Sequence, residues 1–151
     1  MKRRPIIIDC DPGHDDAMAI LWALASEELE IKAITTVAGN QTIEKVTNNA
    51  IRVLTKAKKY DIPVAKGAEA PLVRKLVVGG ELVHGDSGLE GPVLPENGFE
   101  VSELRALELL VKVLEESEEK VTIVGIGPLT NVAQLLITRP DLMEKIEQIS
   151  I

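Results

Sequence analysis

The segment IIIDCDPGHDD, residues 6–16, decides the fold. Ile6, Ile7 and Ile8 read as a short strand buried on both faces, because β-branched apolar residues without alternation suit a parallel sheet covered on both sides. The run ends abruptly in four aspartates, Asp9, Asp11, Asp15 and Asp16, with Pro12, Gly13 and His14 among them. The period then changes to that of a helix. In DDAMAILWALAS, Ala17, Ile20, Leu21 and Leu24 share one face, and Asp15 or Asp16 can cap the helix or complement its dipole. A strand, a tight turn and a helix in succession make one βα unit.

The same alternation continues outward. IKAITTVAG (31–39) is a strand closed by Gly39, TIEKVTNNAIRVLTKAKK (42–59) a helix, and IPVAKG (62–67) a short third strand. Residues 68–101 are rich in Gly and Pro and have no clear period, so this long connection is expected either to carry function or to cover something. SELRALELLVKVLEES (102–117) is a helix with Ser102 as N-cap, KVTIVGIG (120–127) a fourth strand, and PLTNVAQLLITRP (128–140) a helix with Pro128 in its first turn. EKIEQISI (144–151) begins as a helix end and finishes as a fifth strand. Repeated βα units predict a doubly wound parallel sheet of about five strands, Rossmann- or flavodoxin-like, with helices on both faces. Right-handed crossovers and the long connection give the order 3-2-1-4-5. The switch point lies between strands 1 and 4, where such sheets bind ligands at the carboxyl ends of the strands. The two loops meeting there are DCDPGHDD and GIGPLTN.

Composition narrows the function. Hydrophobic residues make up 45% and charged residues 27% of the 151, as in a soluble globular domain. A net charge of -7 argues against nucleic acid. Trp22, Tyr60 and Phe99 are the only aromatic side chains, too few for a base-stacking platform. The single Cys10 excludes an internal disulfide and suits a cytoplasmic location. The start MKRRPIIIDCDPG lacks a signal-peptide core, and no apolar stretch is long enough for a membrane helix.

Asp9 and Asp11 project to one side of the strand and Cys10 to the other. Pro12 and Gly13 turn the chain so that Asp15 and Asp16 can fold back. Several carboxylates this close raise one another's pKa, and a hard dication, Ca²⁺ or Mg²⁺, resolves the conflict. The loop is not an EF-hand, since its twelfth position, counted from Asp9, is Ile20. The plainer alternative is a set of solvated loop aspartates with a helix cap. Equally plain readings apply elsewhere: Asn40 as a turn residue, His84 as exposed in a polar loop, His14 facing solvent or lining the mouth, Thr130 and Asn131 stabilising a helix turn, and Met18 and Trp22 in the core.

DCDPGHDDAMAI resembles the amino-terminal signature of the nucleoside hydrolases, the inosine-uridine-preferring N-ribohydrolases. TTVAGN (35–40), HGDSGLEGP (84–92) and GIGPLTNVA (125–133) extend the resemblance, in the family's order, across the whole chain. It implies Ca²⁺-assisted hydrolysis of a ribonucleoside's N-glycosidic bond to ribose and free base, in purine and pyrimidine salvage. It further implies that Asp11 ligates Ca²⁺ and serves as general base, that Asp16 ligates the ion, and that Ile126 offers its backbone carbonyl. Asp15 and Asn40 would bind ribose hydroxyls, His84 would stand at the pocket edge, and Asp9 would hold the loop from behind. A homo-oligomer is expected, with no nucleic-acid or membrane partner.

Members of this family are about twice as long, so residues 1–151 read as the amino-terminal half of a nucleoside hydrolase domain (a truncated or engineered half, or one piece of a split protein). Further ribose contacts, another aspartate of the ion shell and a histidine that protonates the leaving base belong to the family's later segments. The chain alone is therefore expected to be inactive or nearly so. Two alternatives stand beside this reading. One is a stable half-domain that binds an ion or a partner without catalysis. The other is a haloacid-dehalogenase-type Mg²⁺ phosphatase with Asp9 as nucleophile and Asp11 beside it; the following Pro-Gly and the HDD run do not fit it.

Overall fold

The computed structural model describes residues 2–151. Five parallel strands form one sheet in the order β3-β2-β1-β4-β5. They are β1 (Arg4–Cys10), β2 (Leu29–Thr36), β3 (Val64–Lys66), β4 (Val121–Gly125) and β5 (Ile146–Ser150). The helices are α1 (His14–Ala25), α2 (Ile43–Lys56), a single turn α3 (Glu81–His84), α4 (Ala106–Glu116) and α5 (Thr130–Thr138). The expected 3-2-1-4-5 order and doubly wound class are therefore found.

Each face of the sheet carries its own core. Ile6, Ile8 and Cys10 point into a cluster with Ile20, Ala50 and Leu54, covered by α1 and α2. Ile7 points the other way, into Leu109, Leu110, Leu114 and Leu135 of α4 and α5. Strand alternation on a two-faced sheet accounts for this division. It also directs Asp9 to the α5 side of the sheet, where Asn131 Nδ2 donates to it, away from Cys10.

Three expectations are corrected at element level. The helix expected from Ser102 starts at Ala106; Arg105 is its N-cap, with the Glu108 carboxylate accepting the Arg105 N–H at 2.7 Å, while Ser102 Oγ accepts the Leu104 N–H in a local turn. The helix expected over 128–140 runs from Thr130 to Thr138, and residues 140–145 form a separate 3₁₀ turn with Pro140 at its first positions. Met18 and Trp22 are not core residues: they are 51% and 74% exposed, and Leu21 joins them on the outer face of α1. That helix is apolar nearly all round, so its spacing could not tell the inner face from the outer.

The long connection 68–101 divides in two. Leu72, Val73 and Val77 are exposed, whereas Leu89 is buried and Leu94, Phe99 and Val101 pack on the α1/α2 core. Its second half covers the core and, through His84, enters the site. Among the described residues, no helix is long and apolar enough to cross a membrane.

Candidate active site

The site is built where β1 and β4 end side by side. Asp9, the last strand residue but one, is fully buried. Its Oδ1 accepts hydrogen bonds from Thr35 Oγ1 (2.6 Å) and Asn131 Nδ2 (2.8 Å), and its Oδ2 has no partner among the described residues. Its carbonyl accepts the N–H groups of Ile126 (2.9 Å) and Gly127 (3.3 Å), tying the loop after β4 to β1. Burial pushes its carboxyl up to about 6, against the two donated hydrogen bonds.

Asp11 lies past the strand end and is 5% exposed. Its Oδ2 accepts the Asn40 N–H at 2.7 Å, and Asn40 Nδ2 donates to its carbonyl at 2.9 Å. Glycines stand on both sides of the carboxylate. A Cβ at Gly39 would collide with Oδ2, and one at Gly127 would meet Oδ1 at 2.8 Å. Burial first, and the negative charges of Asp16 and Asp15 after it, push Asp11 up to about 7, against the Asn40 bond.

Asp16 is in the first turn of α1. Its Oδ2 accepts the Gly13 N–H at 3.3 Å, so it does cap the helix. Its Oδ1 is buried with no hydrogen-bond partner among the described residues, and burial raises its carboxyl to about 6. Asp15 is one residue earlier but its side chain is 81% exposed, reaching toward His84 Nε2 at 3.8 Å. Ile126 begins the β4–α5 loop; its N–H is held by the Asp9 carbonyl and its side chain is 37% exposed.

His84 departs from the surface position that the polar loop suggested: it is 8% exposed. Its ring lies against Gly13, where an added Cβ would come within 2.7 Å of Nε2. His14 is no free surface residue either. Its Nδ1 lies 2.9 Å from His84 Nδ1, and its Nε2 lies 2.7 Å from the Glu90 carbonyl. The glycine of DPGH is thus the space into which His84 fits.

Sequence reasoning missed the part of Asn131. It does more than steady a helix turn: fully buried, it donates to Asp9 Oδ1 and to the Thr36 carbonyl (2.9 Å) and accepts the Ala68 N–H (2.9 Å). The available signal was its place in the first turn of α5 at the switch point, facing the strand ends. Thr35, Gly39 and Gly127 stood out only as members of their motifs.

The residues fit a hard cation in part. Asp11 and Asp16 offer carboxylate oxygen in a buried setting, one oxygen of Asp16 lacks any partner, and two glycines leave room at Asp11. Among the described residues no three His, Cys, Asp or Glu side chains converge to close a metal shell by themselves. Two carboxylates need further oxygen from backbone, water or other chain segments.

A family profile described as inosine-uridine preferring nucleoside hydrolase matches residues 6–151. The chain belongs to that family. It is 57% identical over 146 residues to the pyrimidine-specific ribonucleoside hydrolase RihA of Photobacterium profundum, covering 97% of this chain and 47% of the relative. It is 58% identical to the Salmonella typhimurium protein of the same name, with the same coverage. Among solved structures it superposes on a plant nucleoside hydrolase, PpNRh1, with a TM-score of 0.87 at 38% identity, covering 97% of this chain and 46% of the other. A purine-preferring ribonucleoside hydrolase from Gardnerella vaginalis gives 0.90 at 26% identity, with 97% and 47% covered. The chain therefore spans about half the length of the nucleoside hydrolases it matches.

Proposed function

We propose that this chain supplies the water-activating, ribose-facing half of a Ca²⁺-assisted ribonucleoside hydrolase. The observation that carries the proposal is the Asp11 carboxylate, lodged between Gly39 and Gly127 and fixed by Asn40, with Asp16 presenting an unpartnered oxygen. Ca²⁺ held by Asp11, Asp16 and the Ile126 carbonyl would supply Lewis-acid polarisation of the attacking water. Asp11 takes the proton from that water. Asp15, exposed at the mouth, and Asn40 receive ribose hydroxyls. The anionic cluster as a whole stabilises the positive charge that develops on the sugar ring as the glycosidic bond breaks. Asp9 reaches none of the reacting atoms; it fixes the β4–α5 loop through its carbonyl.

The similarity to RihA proteins of pyrimidine specificity supports pyrimidine ribonucleosides as preferred substrates. Protonation of the departing base is assigned to residues outside this chain. Loss of a general acid costs about 10²–10⁴ in rate, and loss of substrate contacts costs more.

The test is ribose release from uridine, cytidine and inosine, with and without chelator. It compares the 151-residue chain with a polypeptide extended to its relatives' length. The extended protein is expected to turn over pyrimidine ribonucleosides in a Ca²⁺-dependent way and to lose this on Asp11→Asn. The short chain is expected to show no easily measured activity. Robust turnover by the short chain would show that the acid has been misplaced.

A further inference from the structure

The Glu90 carbonyl can only accept a hydrogen bond, and it lies 2.7 Å from His14 Nε2. His14 therefore carries its proton on Nε2. In a neutral imidazole the other nitrogen is then bare. That bare Nδ1 lies 2.9 Å from Nδ1 of His84, a separation that requires a proton on one of the two nitrogens. His84 must supply it, which leaves His84 Nε2 without one. The arrangement gives up one weaker contact, the His14 backbone N–H at 3.3 Å from His84 Nδ1. The cost is one first-turn N–H left without its side-chain acceptor, set against the shorter 2.9 Å and 2.7 Å contacts that the arrangement keeps. An independent distance agrees. Asp15 Oδ1 stands 3.8 Å from His84 Nε2, beyond hydrogen-bond range, although its exposed side chain could close on a donor placed there.

We infer that His14 is a positioning residue: it relays the Glu90 carbonyl to His84, so that His84 presents Nε2 as a hydrogen-bond acceptor beside Asp15. Two acceptors 3.8 Å apart suit the hydroxyl donors of a sugar. This deepens the nucleoside reading and rests on it for the identity of the ligand alone. The ring tautomers are a property of the protein and stand apart from that reading.

The chain contains two histidines, so ring ¹⁵N spectra are simple to assign. The measurement is a long-range proton–nitrogen correlation on the 151-residue chain, at alkaline pH where the ring shifts have stopped changing. The expected result is a protonated Nδ1 and bare Nε2 for His84, and the reverse for His14. His14→Ala removes the acceptor facing His84 Nδ1, which can then accept the backbone N–H of residue 14. The two His84 nitrogen shifts are expected to exchange. A wild-type His84 protonated on Nε2 would overturn the inference, as would an unchanged His84 in a folded His14→Ala chain. Should that variant fail to fold, the wild-type spectrum decides alone. Ribose release by the extended polypeptide tests the nucleoside reading separately, and its failure would leave the tautomers of His14 and His84 as the spectrum assigns them.

Discussion

Asn131 joins three backbone segments through one amide: β1 by Asp9, the end of β2 by the Thr36 carbonyl, and the chain after β3 by the Ala68 N–H. Asn131→Ala would leave the buried Asp9 carboxylate with Thr35 as its single donor and strand two backbone groups. A loss of about 2–4 kcal/mol is expected, with a melting temperature lower by roughly 5–15 °C, read by calorimetry. A change within one degree would show that the amide is replaceable by water. The three raised carboxyls set a pH dependence whose sign follows directly. Asp9 and Asp16 at about 6 and Asp11 at about 7 all lie above the ordinary 3.8, so the folded chain holds protons that the unfolded chain has released. Their stabilising effect is fully present below about pH 4 and is lost as pH rises through 6 to 7. In chelator, melting at pH 5 is expected above melting at pH 8, and Asp11→Asn should reduce the difference. A higher melting point at pH 8 would contradict the burial of these groups. At this scale the aspartates were legible because four acids at a strand end are chemically conspicuous. Asn131 and His14 were not, because an amide or imidazole gains its role from partners that the fold brings in from distant positions.

The elements around the site differ in how firmly they are held. Residues 84–90 are tied on all sides. Lys45 Nζ donates to the Asp86 carbonyl, Asn49 Nδ2 to the Ser87 carbonyl, and Glu90 N–H to the His84 carbonyl. Gly85 and Gly88 adopt φ of +77° and +78°, the left-handed region, so the path of this loop depends on glycine. Residues 70–79, by contrast, present Val73 and Val77 at 94% and 82% exposure. Among the described residues this stretch makes no backbone hydrogen bond outside itself before Gly80, whose N–H reaches the Asn40 carbonyl. Limited proteolysis is expected to cut first within 70–79 and to leave 84–90 intact. First cleavage inside 84–90 would contradict the tying described. The sheet and its order were legible from the βα alternation, since the period of apolar residues is dictated by which faces are buried. The start of α4 was not, because Ser102 makes a local turn that mimics a cap. The inner face of α1 was hidden by apolar residues all round the helix.

At the scale of the whole molecule, β5 is the outermost strand among the described residues, pairing with β4 on one side alone. Ile149 in this strand, Ile151 just after it and Met143 in the 3₁₀ turn leading into it are exposed. An unpaired edge flanked by apolar side chains promotes association. We expect the chain to self-associate at high concentration in light scattering, and Ile149→Lys to shift it toward monomer; a clean monomer throughout would contradict this. The more central claim is that the aspartate cradle takes a hard dication. Calorimetric titration of the 151-residue chain with Ca²⁺ tests it most directly, set beside the double variant Asp11→Asn with Asp16→Asn. The expected result is weak saturable binding by the parent, because two carboxylates and a carbonyl leave much of a six- to eight-oxygen shell to water, and none by the variant. Equal heats from the two proteins would contradict the account.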